Sequence, residues 1–239
     1  MSVRSAGNER YRGRIANTAY GRVAAPLSIA VVDACQFGLI GLRSLLTPPA
    51  FSPIEISVSA HEQVESALVA ALHGQVCMGN GGGGRCLVLR LSTHPAQALQ
   101  QLLCLEQGGM ERAGFRRLIV LSPFWGNNVV RQVLVCGGVR LPVRIVDARS
   151  PVMWLRRVVL SQGSLLQAGE DELLPHMPAL ALSDPERRVL VRTLMEIPIH
   201  QQARLQYRNN KTLYAQRHNA LRKLRASGVV DLLRRFVSL

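Results

Sequence analysis

The chain has 239 residues, enough for two ordinary domains, and 48% of them are hydrophobic, which excludes wholesale disorder. Lys and Arg number 29 against 15 Asp and Glu, a net charge of +14, and such an excess argues for a polyanionic partner. Cys35, Cys77, Cys86, Cys104 and Cys136 are scattered with no C-x-x-C pair, so a disulfide framework or zinc site is excluded in favour of free thiols in a reducing cytoplasm.

Residues 1–25 read as a flexible basic tail without the apolar centre of a secretory signal. From Pro26 strands and helices alternate. Leu27–Val32 is a short β-rich run ended by Asp33, and Phe37–Leu46 carries apolar residues at helical spacing. Asp33, Gln36 and Arg43 argue against a transmembrane span over these two segments. Ile54–Val58 alternates with period two, and Glu62–Leu72 reads as a helix. The glycines of 79–84 lack G-K-[ST] and read as a surface loop, not a phosphate-binding one.

Cys86–Leu89, Leu118–Leu121 and Val143–Val146 supply three further strands. Helices are expected over Pro95–Leu105, over Val129–Val135, and after Ser150-Pro151. This alternation predicts an α/β domain over 26–160, a doubly wound parallel five-stranded sheet with a binding edge at the C-terminal ends of its strands. Residues 161–181, with Gly163, Gly169, Pro175 and Pro178, read as a linker.

Residues 182–239 are all-α in character, a four-helix unit. From Ser183 onward the chain holds twelve basic and four acidic residues, so positive charge is concentrated there. Ser183-Asp184-Pro185-Glu186 is a capping box. A short helix through Gln201, Ala203 and Leu205 is followed by the polar turn Arg208-Asn209-Asn210. The next helix starts at Lys211. Its apolar side holds Leu213, Ala220, Leu221 and Leu224; its polar side holds Lys211, Thr212, Gln216, Arg217, Asn219, Arg222 and Lys223. Gln, Asn and Arg make bidentate bonds to base edges, while Lys and helix N-terminal amides hold phosphates. A solvated basic face is the plain alternative.

Leu182-Ser183, Glu186 to Leu190, Lys211-Thr212-Leu213, Gln216-Arg217, Asn219-Ala220 and Lys223-Leu224 resemble the LuxR/NarL-type helix-turn-helix over about 181–236, with Gln216 as in its RcsB-like and RcsA-like branch. The resemblance implies phosphate contacts from Lys211 and Thr212. It places Leu213, Gln216, Arg217 and Asn219 in or near a major groove. Pro198, His200 and Gln202 depart from the pattern, as do the polar residues Gln206 and Arg208.

Val32-Asp33-Ala34 through Gly41-Leu42-Arg43-Ser44-Leu45-Leu46 in turn resembles the start of a response-regulator receiver domain. By that resemblance Asp33 keeps one acidic metal ligand and Ala34 has lost the other. Arg90 stands where a phosphoacceptor aspartate is expected, Ser122 keeps a hydroxyl, and the expected lysine after the fifth strand is missing. Phosphoryl transfer to aspartate needs a carboxylate nucleophile, which Arg90 is not. The unit reads as a pseudo-receiver in which Arg90 pairs with Asp33.

These readings lead to a phosphorylation-independent regulator of transcription that binds double-stranded DNA as a homodimer or with a related regulator. No catalytic site, metal or cofactor is expected. An auxiliary protein that modulates a partner regulator with little DNA binding of its own is one rival, and an RNA-binding antiterminator another.

Overall fold

The computed structural model describes residues 27–48, 55–78, 84–125, 127–161, 172–175 and 177–237. The expected basic tail and most of the glycine loop lie outside these residues.

Strands β1 (Leu27–Val32), β2 (Ile56–His61), β3 (Arg85–Arg90), β4 (Phe115–Ser122) and β5 (Pro142–Asp147) form a parallel sheet in the order β2-β1-β3-β4-β5. Period-two alternation builds a layer on each face. Ala30, Val32, Leu87, Leu89, Leu118 and Val120 point to one side; Ile29, Val31, Cys86, Val88, Ile119 and Leu121 point to the other. Helices α1 (Gln36–Leu46) and α6 (Val152–Leu160) cover the second layer. The first is covered by α2 (Val64–Met78), α3 (Pro95–Leu103), α4 (Gln107–Arg112) and α5 (Asn128–Cys136). The doubly wound arrangement is the one the alternation predicts.

Three elements differ from expectation. β2 lies at Ile56–His61 because it pairs along the whole of β1, from Leu27↔Ile56 to Val32↔His61. α4 is a single turn and a half containing Gly108 and Gly109, too short and glycine-rich to show a periodicity. Within the stretch expected as a linker, Glu172–Leu173 form β6, antiparallel to β5 at the sheet edge. The described sheet therefore has six strands, the sixth only two residues long.

Helices α7 (Asp184–Leu194), α8 (Ile199–Gln206), α9 (Asn210–Lys223) and α10 (Val229–Val237) follow. They do not stand apart from the sheet. Leu190, Leu221, Leu224, Leu232 and Phe236 share one core with Leu99, Leu102, Val133 and Cys136. Polar bonds register the contact: Leu182 N–H donates to the Cys136 carbonyl and Gln132 Nε2 to the Leu224 carbonyl, each at 2.7 Å. Arg187 bonds the Leu103 and Gly137 carbonyls, both at 3.3 Å. α7 and α10 are thus seated on α3 and α5, which leaves α8 and the start of α9 on the far side.

Candidate nucleic-acid interface

α8 and α9 are held together by a small core of their own. Ile199 and Ala203 of α8 meet Leu213 of α9 and Val189 of α7. Gln202 is also fully buried, and its amide donates to the Ile197 carbonyl at 2.8 Å. That bond satisfies the amide nitrogen, while Gln202 Oε1 is buried without a hydrogen-bond partner. Tyr207 ends α8 in the left-handed conformation (φ 51°, ψ 43°). Asn209 then caps α9, its side chain accepting from Lys211 N–H at 2.9 Å.

With Leu213, Ala220 and Leu221 turned inward, helical geometry turns the rest of α9 outward. Lys211, Thr212 and Arg222 are exposed, and Gln216, Arg217 and Asn219 are half-buried. Thr212, Gln216 and Asn219 follow one another along a single stripe. Arg217 lies over the Tyr214 ring of its own helix at 5.2 Å, on the other flank of α9 from that stripe.

Two residues expected in this interface are placed otherwise. Leu213 is 0% exposed, so it fixes the pose of α9 and presents nothing to a groove. Lys223 closes the stripe, but its ammonium is turned back onto Glu186 Oε2 at 2.7 Å and the Ala181 carbonyl at 2.8 Å. Glu186 also accepts from Ser183 N–H at 2.8 Å, completing the capping box of α7. Burial alone would raise the Glu186 pKa, yet the Lys223 ammonium and the Ser183 donors outweigh it and hold the carboxyl below its usual value. Lys223 is therefore a strut between α9 and the start of α7.

The same end of the unit holds cations that the sequence reading counted as charge but did not single out. His200, Arg204, Tyr207, Arg208 and Asn210 line an open depression of about 590 Å3 beside the α8–α9 turn. Arg204 and Arg208 are four apart, one turn of helix and cap, which is the signal that could have found them.

At the C-terminal edge of the sheet, Arg90 Nη1 donates to Asp33 Oδ2 at 3.0 Å, so the expected pair is formed. Asp33 is buried, and its other oxygen accepts from Cys35 N–H at 2.9 Å. Gly38 makes this possible: a Cβ there would overlap both Asp33 Oδ2 and Arg90 Nη1. Ser122 is fully buried, with its hydroxyl accepting from Phe124 N–H at 3.2 Å. Asp147 ends β5 beside Ser122, and Arg149 reaches back to it at 3.4 Å. Asp33 thus has a cation already in place, and the residue across from it on β3 is a guanidinium and not a carboxylate nucleophile. Among the described residues no group of three or more His, Cys, Asp or Glu is placed to hold a metal ion, and no helix is long and apolar enough to cross a membrane.

The chain resembles response regulators of known structure. One is the two-component response regulator RcsB in complex with DNA: 16% identity, 89% of this chain and 100% of that one, TM-score 0.47. Another is RcsB from Salmonella enterica serovar Typhimurium bound to promoter rprA in the presence of phosphomimetic BeF3-: 16% identity, 90% and 100% covered, TM-score 0.45. A third is the response regulator ChrA of a heme-sensing two-component system: 15% identity, 88% and 96% covered, TM-score 0.35. No family model matches the chain, and no curated protein matches it. At this similarity the function has to be argued from the chain's own residues.

Proposed function

We propose that this chain is a sequence-specific DNA-binding regulator of transcription whose competence does not depend on phosphorylation. One observation carries the reading. α9 presents Lys211, Thr212, Gln216, Asn219 and Arg222 outward, while α7, which packs along it, and α10 are the helices seated on the sheet domain. The reading face is therefore open in the docked arrangement. A helix with amide and guanidinium groups along one stripe and a lysine at its N-terminus suits a major groove, with Arg204 and Arg208 beside the turn placed for phosphates. The rival of a merely solvated basic face leaves unexplained why amides follow one stripe between the cations.

The Asp33–Arg90 pair, at the edge where the receiver resemblance puts a phosphoacceptor, supports independence from phosphorylation. A symmetric operator requires two reading heads, so the active species is a dimer, either of two copies or with a related regulator.

The purified protein incubated with sheared genomic DNA at near-physiological salt tests the reading. Retention of a few sites sharing a short motif is expected. Uniform retention that disappears as salt rises would reduce the interaction to its electrostatic part and overturn sequence specificity. Stronger competition by RNA than by duplex DNA would favour an antiterminator.

A further inference from the structure

α8 ends in the hydrogen-bond pattern that closes a helix on a left-handed residue. Arg208 N–H donates to the Ala203 carbonyl at 3.0 Å and Tyr207 N–H to the Arg204 carbonyl at 3.3 Å. Tyr207 therefore sits at φ 51°, ψ 43°, which glycine adopts freely and a tyrosine only at a cost in stability. Its ring returns nothing to the fold, for Tyr207 is 98% exposed. A bulky side chain kept on strained backbone and left in solvent has a use outside the fold.

The surroundings say what the ring meets. Tyr207 lines the open depression with His200, Arg204, Arg208 and Asn210, and none of the residues lining it is acidic. From Ile197 to Val230 the chain holds no Asp or Glu. Asn210 is the first residue of α9, so the positive end of that helix stands at the rim. An anion is what such a rim holds. A phenol is a neutral donor: it bonds a phosphate oxygen without adding a third positive charge beside Arg204 and Arg208.

We propose that Tyr207 is a backbone-contacting residue, whose hydroxyl donates to a phosphate oxygen of duplex DNA held between Arg204 and Arg208. The left-handed turn aims the ring at that phosphate, which explains why the position keeps a residue that folds less well than glycine. The inference rests on the DNA-binding reading of α9 and adds a contact from the turn before it. A phosphate contact carries no sequence information, so an operator is not needed to detect it.

The test titrates the full-length protein against a fluorescein-labelled duplex of about 30 base pairs and arbitrary sequence at low salt, read by anisotropy. Tyr207→Phe is expected to weaken binding about five- to tenfold with an unchanged salt slope, because the lost donor is neutral, whereas Arg204→Ala lowers the slope by about one. Tyr207→Gly should weaken binding at least as much while raising Tm. Glu196→Gly, which relieves the same strain away from the depression, should raise Tm without weakening binding. Tyr207→Asn, which also tolerates left-handed backbone, repeats the measurement if the glycine variant does not fold. Full affinity in Tyr207→Phe overturns the proposal, and a preference of wild type and this variant alike for single-stranded DNA makes the ring a stacking surface instead. A lower Tm in Tyr207→Gly also overturns it, because the ring then supports the fold. Displacement of the duplex by millimolar inorganic phosphate at constant ionic strength assigns the depression to a free anion. If Lys211→Ala weakens binding and the Tyr207 variants do not, this inference fails alone; if the wild type leaves the duplex unbound, the DNA-binding reading fails with it.

Discussion

Gly38 shows how one absent side chain decides the chemistry of an edge. The space a Cβ would need is filled by Asp33 Oδ2 and Arg90 Nη1, so Gly38→Ala is expected to push the guanidinium aside and leave a buried carboxylate short of its cation. The cost is on the order of 1–3 kcal/mol, read as a lower midpoint in thermal denaturation. A smaller and opposite effect is expected where a helix ends on a side chain in left-handed backbone. Glu196 closes α7 with φ 61° and is exposed. Glu196→Gly relieves that strain and should stabilise by roughly 0.5–1 kcal/mol, whereas Glu196→Ala should not. Equal melting temperatures for the two variants would show that φ at this position is not strained. The pair at Asp33 was legible from the order of residues, because Arg90 replaces an acid at a strand end. The need for Gly38 was not, since nothing local says what will approach from β3.

At the scale of elements, α9 separates binding from support. Lys211→Ala removes an exposed cation and should leave stability within about 0.5 kcal/mol while weakening DNA binding and flattening its salt dependence by about one unit of slope. Lys223→Ala should do the reverse, costing about 2–3 kcal/mol in chemical denaturation because Glu186 is left buried without its ammonium. Should Lys223→Ala weaken binding with no loss of stability, Lys223 would belong to the interface after all. α10 offers a pH test. The Ser227 amide, the Arg235 guanidinium and the Ser227 hydroxyl hold Asp231 at about 2, below the usual carboxylate value. A carboxyl depressed in the folded state stabilises above its unfolded pKa, and that contribution disappears as pH falls from about 4 towards 2. Asp231→Asn should remove this part of the acid dependence, as followed by helical ellipticity from pH 5 to 2.

For the molecule as a whole, the consequence of a shared core is shared unfolding. Phe236 of α10 packs edge-on against Phe124 of the β4–α5 loop, centroids 5.1 Å apart, and is 2% exposed. Phe236→Ala is expected to cost about 3–5 kcal/mol. It should also split one calorimetric transition into two, as the helical unit melts away from the sheet. A wild-type protein that already shows two transitions would mean the two parts are not energetically coupled.

Local pattern carried much of this molecule. Period-two and helical spacing give away the five parallel strands, the helices on both faces of the sheet and the cap at Ser183, because each depends on residues within a few positions of one another. The outward residues of α9 were legible for the same reason. Tertiary contact decided the remainder. Leu213 reads like any apolar residue on a mixed helix until Val189, Ile199 and Ala203 close over it, and Lys223 reads like any surface cation until Glu186 arrives from α7. The docking of α7 and α10 on α3 and α5 is likewise invisible along the chain, since it joins apolar faces more than 80 residues apart that each look complete as the inside of their own domain. Spacing reports which face a residue shares, and only the folded chain determines what that face meets.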